Sequence, residues 1–325
     1  MASDEAAFLS SDRLSNWALV SFLRPPLHFA AEEVGGPVTL APDVHVRHID
    51  DDYRHAGYLD RVLDAEHRRG KDRSYYGIFV ESNEETHFLK QVNDDPALIR
   101  AVKATRSTYL ALWIAGQVPL CPEFAVVVDL DDRDEKGHLR WRKLLPTGPM
   151  FSELVVDTYD ANSIALTREI MPRIRSLKRG AVFNALSALW MAATQSSTEI
   201  ATLLYWVSLE ALFATTADNQ PTARLVRRVS GFFKEELNAQ DMNRNTVSDW
   251  YADRSNFAHG RNFYPGEPDT ELKEFDRRRK RLLELVLATI VKIIKNDRLL
   301  GDFNSEVREA TLEARFPHPA KSEVL

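Results

Sequence analysis

The spacing of apolar residues changes near residue 160, and this change constrains the fold more than any other feature of the chain. Before it, short apolar stretches lie between turn-forming residues, which is typical of strands. After it, apolar residues recur at helical spacing over longer stretches with short connections. The sequence therefore predicts an α+β chain, with a mixed α/β domain over residues 1–160, an all-α bundle over 161–300 and a flexible tail over 301–325.

The strands of the first domain are predicted from alternation and from short apolar runs. They fall at residues 38–46, 75–80, 87–92 and on both sides of the charged loop at 131–138, which closes a hairpin. A helix is predicted from Asp95, which is a suitable N-cap because Pro96 can occupy the first helical position. The sequence does not predict the order of the strands in the sheet.

Six helices are predicted for the second half from their apolar periodicity and their capping signals. They cover residues 164–178, 181–194, 200–214, a basic helix from Pro221, 245–258 and 272–294. Ser196 and Glu199 have the spacing of a capping box ahead of the third of these helices.

Cysteine content and hydropathy predict a cytoplasmic protein. Cys121 is the single cysteine, so the chain cannot form an internal disulfide or a thiolate zinc site. The N-terminal residues are acidic and polar, unlike a secretory signal. The most apolar run, Leu282 to Ile294, has 13 residues. A membrane-spanning helix needs about 20 residues, so no membrane contact is expected.

The charge is distributed unevenly between the halves. Residues 1–160 carry 18 basic and 27 acidic residues, a net charge of −9, whereas residues 161–300 carry 21 and 16, a net charge of +5. An acidic partner is therefore expected for the second half only. This excess is too small to indicate nucleic-acid binding by itself.

Arg254 and His259 lie five positions apart in the segment W-Y-A-D-R-S-N-F-A-H-G, just before Gly260. On a straight helix their side chains would point about 140° apart, so they converge only if the helix ends between them. Gly260 is suited to the left-handed position after a helix end. The pair also has a simple structural interpretation, in which His259 closes the helix and Arg254 pairs with Asp253 or Glu210.

Three segments in order resemble the Apea-like branch of the HEPN superfamily. They are A-T-L-L-Y-W-V-S-L-E-A-L-F at 201–213, A-R-L-V-R-R-V-S-G-F-F at 223–233, and the segment containing Tyr251, Arg254, Ser255, His259 and Gly260. The resemblance covers roughly residues 160–300. It implies a helical bundle that pairs as a homodimer and places two Arg–His segments in one cleft.

The resemblance also implies a function, since many HEPN proteins are metal-independent endoribonucleases that act on single-stranded RNA in anti-phage defence or as toxins. His259 would then be the general acid–base and Arg254 would hold the phosphate oxygens. No cofactor and no metal is expected. The alternative is a non-catalytic HEPN module for RNA binding or dimerisation.

Two positions depart from the family pattern. Many active relatives have Asn, Asp or His directly after the arginine, but this chain has Ser255 there and Asn256 next; both are assigned a supporting role. Arg261 stands where some toxin members have a modified tyrosine, which weakens the interpretation as a toxin paired with a nucleotidyltransferase.

Further residues are candidates for supporting roles. Glu210 lies in an otherwise apolar helix, and since burying a lone carboxylate is costly, we expect it to pair with Arg254 or another basic residue, or to lie at the helix rim. Arg224, Arg227 and Arg228 on the basic helix, together with Arg261, are candidates for RNA phosphate contacts. The alternative for the basic helix is a solvated face.

The first domain offers no motif for chemistry. His45, His48 and His55 cluster with acidic residues at 50–52, but His45 and His48 lie three apart on a predicted strand and face opposite sides, so no metal site is predicted. The chain has no P-loop and no dinucleotide-binding glycine pattern. A sensing or regulatory role for this domain, with an unidentified activator, stays open.

Overall fold

The computed structural model describes residues 13–24, 28–29, 38–48, 76–87, 94–116, 121–133, 139–143, 158–195, 197–214, 221–259 and 268–317. The chain divides into two compact units, residues 1–175 and 176–325. The first combines sheet and helix, and the described part of the second is helical, which confirms the predicted α+β class.

The first unit contains a mainly antiparallel set of strands. They are β1 Arg13–Leu14, β2 Trp17–Arg24, β3 His28–Phe29, β4 Val38–Ala41, β5 Val44–His48, β6 Tyr76–Ser82, β7 Thr86–His87, β8 Cys121–Arg133, β9 Leu139–Lys143 and β10 Thr158–Tyr159. Six form one antiparallel sheet in the order β4-β5-β6-β2-β8-β9. β1 pairs with β7 antiparallel, and β10 pairs with β3 parallel.

The sequence pattern missed the central strand β2, as it missed the two-residue strands β1, β3 and β10. The residues of β2 from Trp17 to Ser21 are all buried, so both faces of the strand are covered. Such a strand has no polar face, and the alternation that predicted β4 and β5 is therefore absent from it.

Two helices accompany the sheet: α1 spans Pro96–Gly116 and α2 spans Ala161–Ser176. Asp95 caps α1 as predicted, because its Oδ1 accepts hydrogen bonds from the backbone N–H groups of Ala97 and Leu98 at 2.8 and 3.2 Å. Residues 161–175 of α2 belong to the first unit, although their periodicity grouped them with the bundle.

The packing of α2 explains this difference in the domain boundary. Arg168 Nε donates to the Thr39 carbonyl at 2.8 Å, and Arg175 forms a two-point ion pair with Asp43 at 2.9 and 2.8 Å. This guanidinium holds the pKa of Asp43 below its usual range. Helical periodicity shows that a helix has a buried face, but it does not show which core the face joins.

The first five of the seven described helices of the second unit lie close to their predicted positions, and the last two were not predicted. They are α3 Ala181–Ala193, α4 Thr198–Phe213, α5 Pro221–Glu236, α6 Arg244–Ala258, α7 Pro268–Lys295, α8 Asp297–Asn304 and α9 Arg308–Arg315. The N-cap of α4 is Ser197 rather than Ser196: its hydroxyl accepts from the Ile200 N–H at 3.2 Å and donates to Glu199 at 2.6 Å. An aromatic cluster of Phe213, Phe232 and Phe303 joins α4, α5 and α8, with ring centroids 5.3–6.1 Å apart.

The prediction of a flexible tail from residue 301 is wrong for residues 301–317. This segment contains the end of α8 and all of α9, and Phe303, Leu312 and Phe316 are buried. Its apolar residues are few and widely spaced, so the amphipathic pattern of two short helices is weak in the sequence. Residues 318–325 lie outside the described part of the chain.

Among the described helices, none combines the length and apolar character that crossing a lipid bilayer requires.

Candidate functional site

Helix α6 carries the Arg–His segment and has a well-formed beginning. Asn243 is its N-cap, and Oδ1 of this residue accepts hydrogen bonds from the N–H groups of Asn245 and Thr246 at 2.9 and 3.1 Å. The helix ends at Ala258, and His259 is the C-cap residue. The His259 N–H still donates to the Ser255 carbonyl at 3.1 Å. The helical turn therefore continues through His259.

Arg254 pairs with Glu210 of α4, which confirms the partner predicted for this carboxylate. Nη2 of Arg254 lies 3.0 Å from Oε1 and 3.2 Å from Oε2 of Glu210. The two side chains are 25% and 23% exposed, so the pair lies at the rim of the bundle and reaches solvent. Nε of Arg254 is buried and has no hydrogen-bond partner among the residues that the structure describes.

Tyr251 completes this group, which we call the Glu210 cluster (Glu210, Tyr251 and Arg254). Its hydroxyl donates to Oε1 of Glu210 at 2.9 Å, and the Arg254 guanidinium lies 5.6 Å from the centre of its ring. The ring packs edge-on against buried Trp206 at 5.1 Å. Burial raises the pKa of Tyr251 to about 12, and the negative charge of Glu210 acts in the same direction.

The sequence pattern gave Tyr251 no role of its own. A usable signal was present: Tyr251 and Arg254 are three positions apart, so they share one face of α6 and can both reach one carboxylate on a neighbouring helix. Asp253, the other partner considered for Arg254, instead forms an ion pair with Arg278 of α7 at 2.9 Å. Burial raises the pKa of Asp253, although Arg278 acts against this shift.

His259 is exposed, and it takes part in no side-chain hydrogen bond or ion pair among the described residues. Because the turn continues through it, the directions of Arg254 and His259 differ by about 140° around the helix axis. The backbone of a single chain therefore directs the arginine inward to Glu210 and the histidine outward. The helix ends at Ala258, between the two residues, but the hydrogen bond of the His259 N–H to Ser255 continues the last turn, so this ending does not bring the two side chains together.

The two supporting residues lie between them on the last turns of α6. Ser255 and Asn256 are both partly exposed, and Ser255 supplies the carbonyl that accepts the His259 N–H. Gly260 and Arg261 lie outside the described residues, so the RNA-contact prediction for Arg261 falls on a position without a described structure.

Two of the three candidate arginines on the basic helix α5 face the protein rather than solvent, which corrects the RNA contacts predicted for Arg227 and Arg228. The Arg228 side chain is fully buried and pairs with Glu309 at 2.7 Å and Glu313 at 3.0 Å of α9. Arg227 makes a two-point contact with Glu313 at 2.8 Å. Arg224 pairs with Glu309 at 2.8 Å and is 31% exposed.

We call this group the C-terminal cluster (Arg224, Arg227, Arg228, Glu309 and Glu313). Its two glutamates lie four positions apart on one face of α9, opposite the three arginines. The acidic partners are more than 80 positions from the arginines in sequence. A buried arginine that is paired within the chain cannot reach an RNA phosphate, so Arg227 and Arg228 are structural residues of the bundle.

The histidine cluster of the first unit is only partly described. His45 Nδ1 lies 3.1 Å from the Thr39 hydroxyl, and its Nε2 lies 3.9 Å from Glu81. His55 and the acidic residues at 50–52 lie outside the described part. Within the part that is described, no three His, Cys, Asp or Glu residues group in a way that could hold a metal ion.

Comparisons of the chain with protein-family models, with curated proteins and with solved structures gave no match. The resemblance to Apea-like HEPN proteins therefore depends on the quoted residues alone and stays a prediction.

Proposed function

We propose that the second unit is a HEPN-type endoribonuclease module that cleaves single-stranded RNA without a metal ion. The observation that carries this proposal is the combination of an oriented, partly exposed arginine with an exposed histidine at the end of the same helix. Glu210 fixes Arg254 while leaving it 25% exposed, and His259 is open to solvent. A histidine can act as general acid–base, and an arginine can stabilise the negative charge that develops on a phosphate during transesterification.

The reaction would be an attack by the RNA 2′-hydroxyl oxygen on the adjacent phosphorus. The phosphorus–O5′ bond breaks, and the products are a 2′,3′-cyclic phosphate and a 5′-hydroxyl. The imidazole of His259 takes the proton from the 2′-hydroxyl, and the imidazolium formed in this way gives that proton to the leaving O5′. Arg254 would stabilise the negative charge that builds on the non-bridging oxygens, since its guanidinium is always charged and planar.

A site of this kind needs a second copy of the chain. Arg254 and His259 of one chain point about 140° apart, so one phosphate cannot be held between them along a single helix. A homodimer in which two α6 helices meet would bring the histidine of one copy toward the arginine of the other. The proposal therefore includes a symmetric dimer as the active form.

A second candidate function is a non-catalytic binding or dimerisation module. It is favoured by the Glu210 cluster itself, because Arg254 already has a carboxylate partner and an aromatic neighbour. In this alternative the cluster joins α4 to α6 and the Arg–His segment has a structural role.

The test is an RNA cleavage assay on the purified full-length chain, with a single-stranded RNA and EDTA present. We expect wild type to cleave and His259→Ala to lose at least about 100-fold in rate, which is the usual contribution of a general acid–base. Arg244→Ala is the matched control, because this exposed arginine lies in the first turn of the same helix. Its rate should equal that of wild type.

Three outcomes distinguish the candidates. Wild-type cleavage that His259→Ala leaves intact contradicts the catalytic role of His259, and cleavage that EDTA abolishes contradicts the metal-independent reaction. RNA binding without cleavage in wild type, together with a lower Tm and unchanged binding in His259→Ala, supports the non-catalytic module instead.

A further inference from the structure

The C-terminal end of α4 is held by two arginines from other helices. Its last carbonyls have no intrahelical partner, because the helix stops at Phe213. Arg308 of α9 donates from Nη1 to the Ala211 carbonyl at 2.8 Å and from Nη2 to the Ala214 carbonyl at 3.0 Å. Arg228 of α5 donates to the Phe213 carbonyl at 3.0 Å. Two positive charges thus lie at the negative end of the helix dipole.

The same helix end carries Glu210. The Ala214 N–H donates to the Glu210 carbonyl at 2.8 Å, and the Ala214 carbonyl accepts from Arg308. Glu210 therefore belongs to the turn that Arg308 closes. Any loosening of this turn changes the position of the carboxylate that orients Arg254 and Tyr251.

Helix α9 is itself firmly attached to the bundle. Besides the C-terminal cluster, Arg315 forms an ion pair with Glu236 of α5. Phe316 is 4% exposed and lies directly over Gly231, where a Cβ atom would be 2.6 Å from Cδ1 of the ring. Arg308 is thus held in place at the start of a docked helix.

We infer that Arg308 is a positioning residue for the Glu210 cluster, so that the C-terminal helix is a working part of the candidate site. The inference depends on the proposed function for its biological meaning, but the coupling between Arg308 and Glu210 is a property of the fold alone. Arg254 therefore keeps its orientation only while α9 stays folded and packed on the bundle.

A double-mutant cycle tests this coupling without any assay of RNA cleavage. Arg308→Met removes the two donors, and Tyr251→Phe removes the hydrogen bond to Glu210; urea unfolding is measured for wild type, both single variants and the double variant. We expect the factor by which Tyr251→Phe raises the unfolding constant to be at least about threefold smaller in the Arg308→Met background, since coupled residues are not additive.

The control cycle uses Arg298→Met, which removes an exposed arginine of α8 instead. It should be additive with Tyr251→Phe. If Arg308→Met does not fold, Arg308→Lys replaces it, because an ammonium keeps the charge but cannot bridge the two carbonyls as a planar fork does. Additive behaviour of the Arg308 cycle would overturn the inference. Absence of RNA cleavage in wild type would instead overturn the proposed function and leave the cycle valid.

Discussion

The second unit contains two arginine–glutamate clusters of similar chemistry and different accessibility. In the C-terminal cluster the Arg228 side chain is 0% exposed, whereas Arg254 in the Glu210 cluster is 25% exposed. The first holds α9 on α5, and its buried cation Arg228 is paired with carboxylates of the same chain, although Arg224 of this cluster is 31% exposed. The second leaves Arg254 partly exposed on the helix that also carries the exposed His259, and the two side chains point in different directions. Arginine content alone therefore does not indicate an RNA site, because the fold buries some of the guanidinium groups completely, as at Arg228.

The largest expected difference between the clusters concerns stability. Glu309→Gln combined with Glu313→Gln should lower the free energy of unfolding by about 3 kcal/mol, because buried Arg228 loses both carboxylates. This is the lower end of the usual range, since both glutamates are about one-third exposed.

Urea unfolding measures this difference, with exposed Glu306→Gln as the matched control at about zero. If the double variant were as stable as wild type, the C-terminal cluster would be no more structural than a surface ion pair, and the contrast with the Glu210 cluster would fail.

A glycine pair sharpens the same comparison, because it tests how closely α9 is docked. Gly231 and Gly301 both lie in helices, but a Cβ at Gly231 would meet Phe316 at 2.6 Å, whereas one at Gly301 would meet nothing within 4 Å. Gly231→Ala should cost about 1–3 kcal/mol through overpacking.

Gly301→Ala should instead stabilise by about 0.5–1 kcal/mol, since alanine is the better helix former. Thermal unfolding of both variants measures whether each substitution lowers or raises the Tm. A stabilising effect at Gly231 would show that Phe316 is easily displaced and that α9 is loosely held.

The smallest expected loss of stability belongs to the Glu210 cluster. Tyr251→Phe should lower the free energy of unfolding by about 1 kcal/mol, the usual contribution of one hydrogen bond, because Glu210 keeps Arg254 as a partner. If Tyr251→Phe lowered the free energy of unfolding by more than the double variant Glu309→Gln with Glu313→Gln, the ranking of the two clusters would be reversed. Urea unfolding under the same conditions allows the direct comparison.

The errors in prediction have a common physical cause. The basic pattern of α5 is visible in sequence, but Glu309 and Glu313, which neutralise it, lie more than 80 positions later in a segment predicted to be flexible. The same limit applies to α2. The sequence predicted its apolar face, but not which of the two hydrophobic cores this face joins. The strand β2 was missed because both of its faces are buried, which removes the alternation that marks a half-exposed strand.

Local patterns in the sequence determined the elements of this protein. Asp95 and the apolar spacing after residue 160 were enough to place most of the helices, because capping and periodicity are properties of neighbouring residues. The carboxylate of Glu210 in an otherwise apolar run predicted a basic partner, with Arg254 as the named candidate. Only the tertiary structure determined which arginine side chains are buried in ion pairs and which stay partly exposed to solvent. That distinction depends on burial and on partners distant in sequence, and neither can be read from residues within a few turns of a helix.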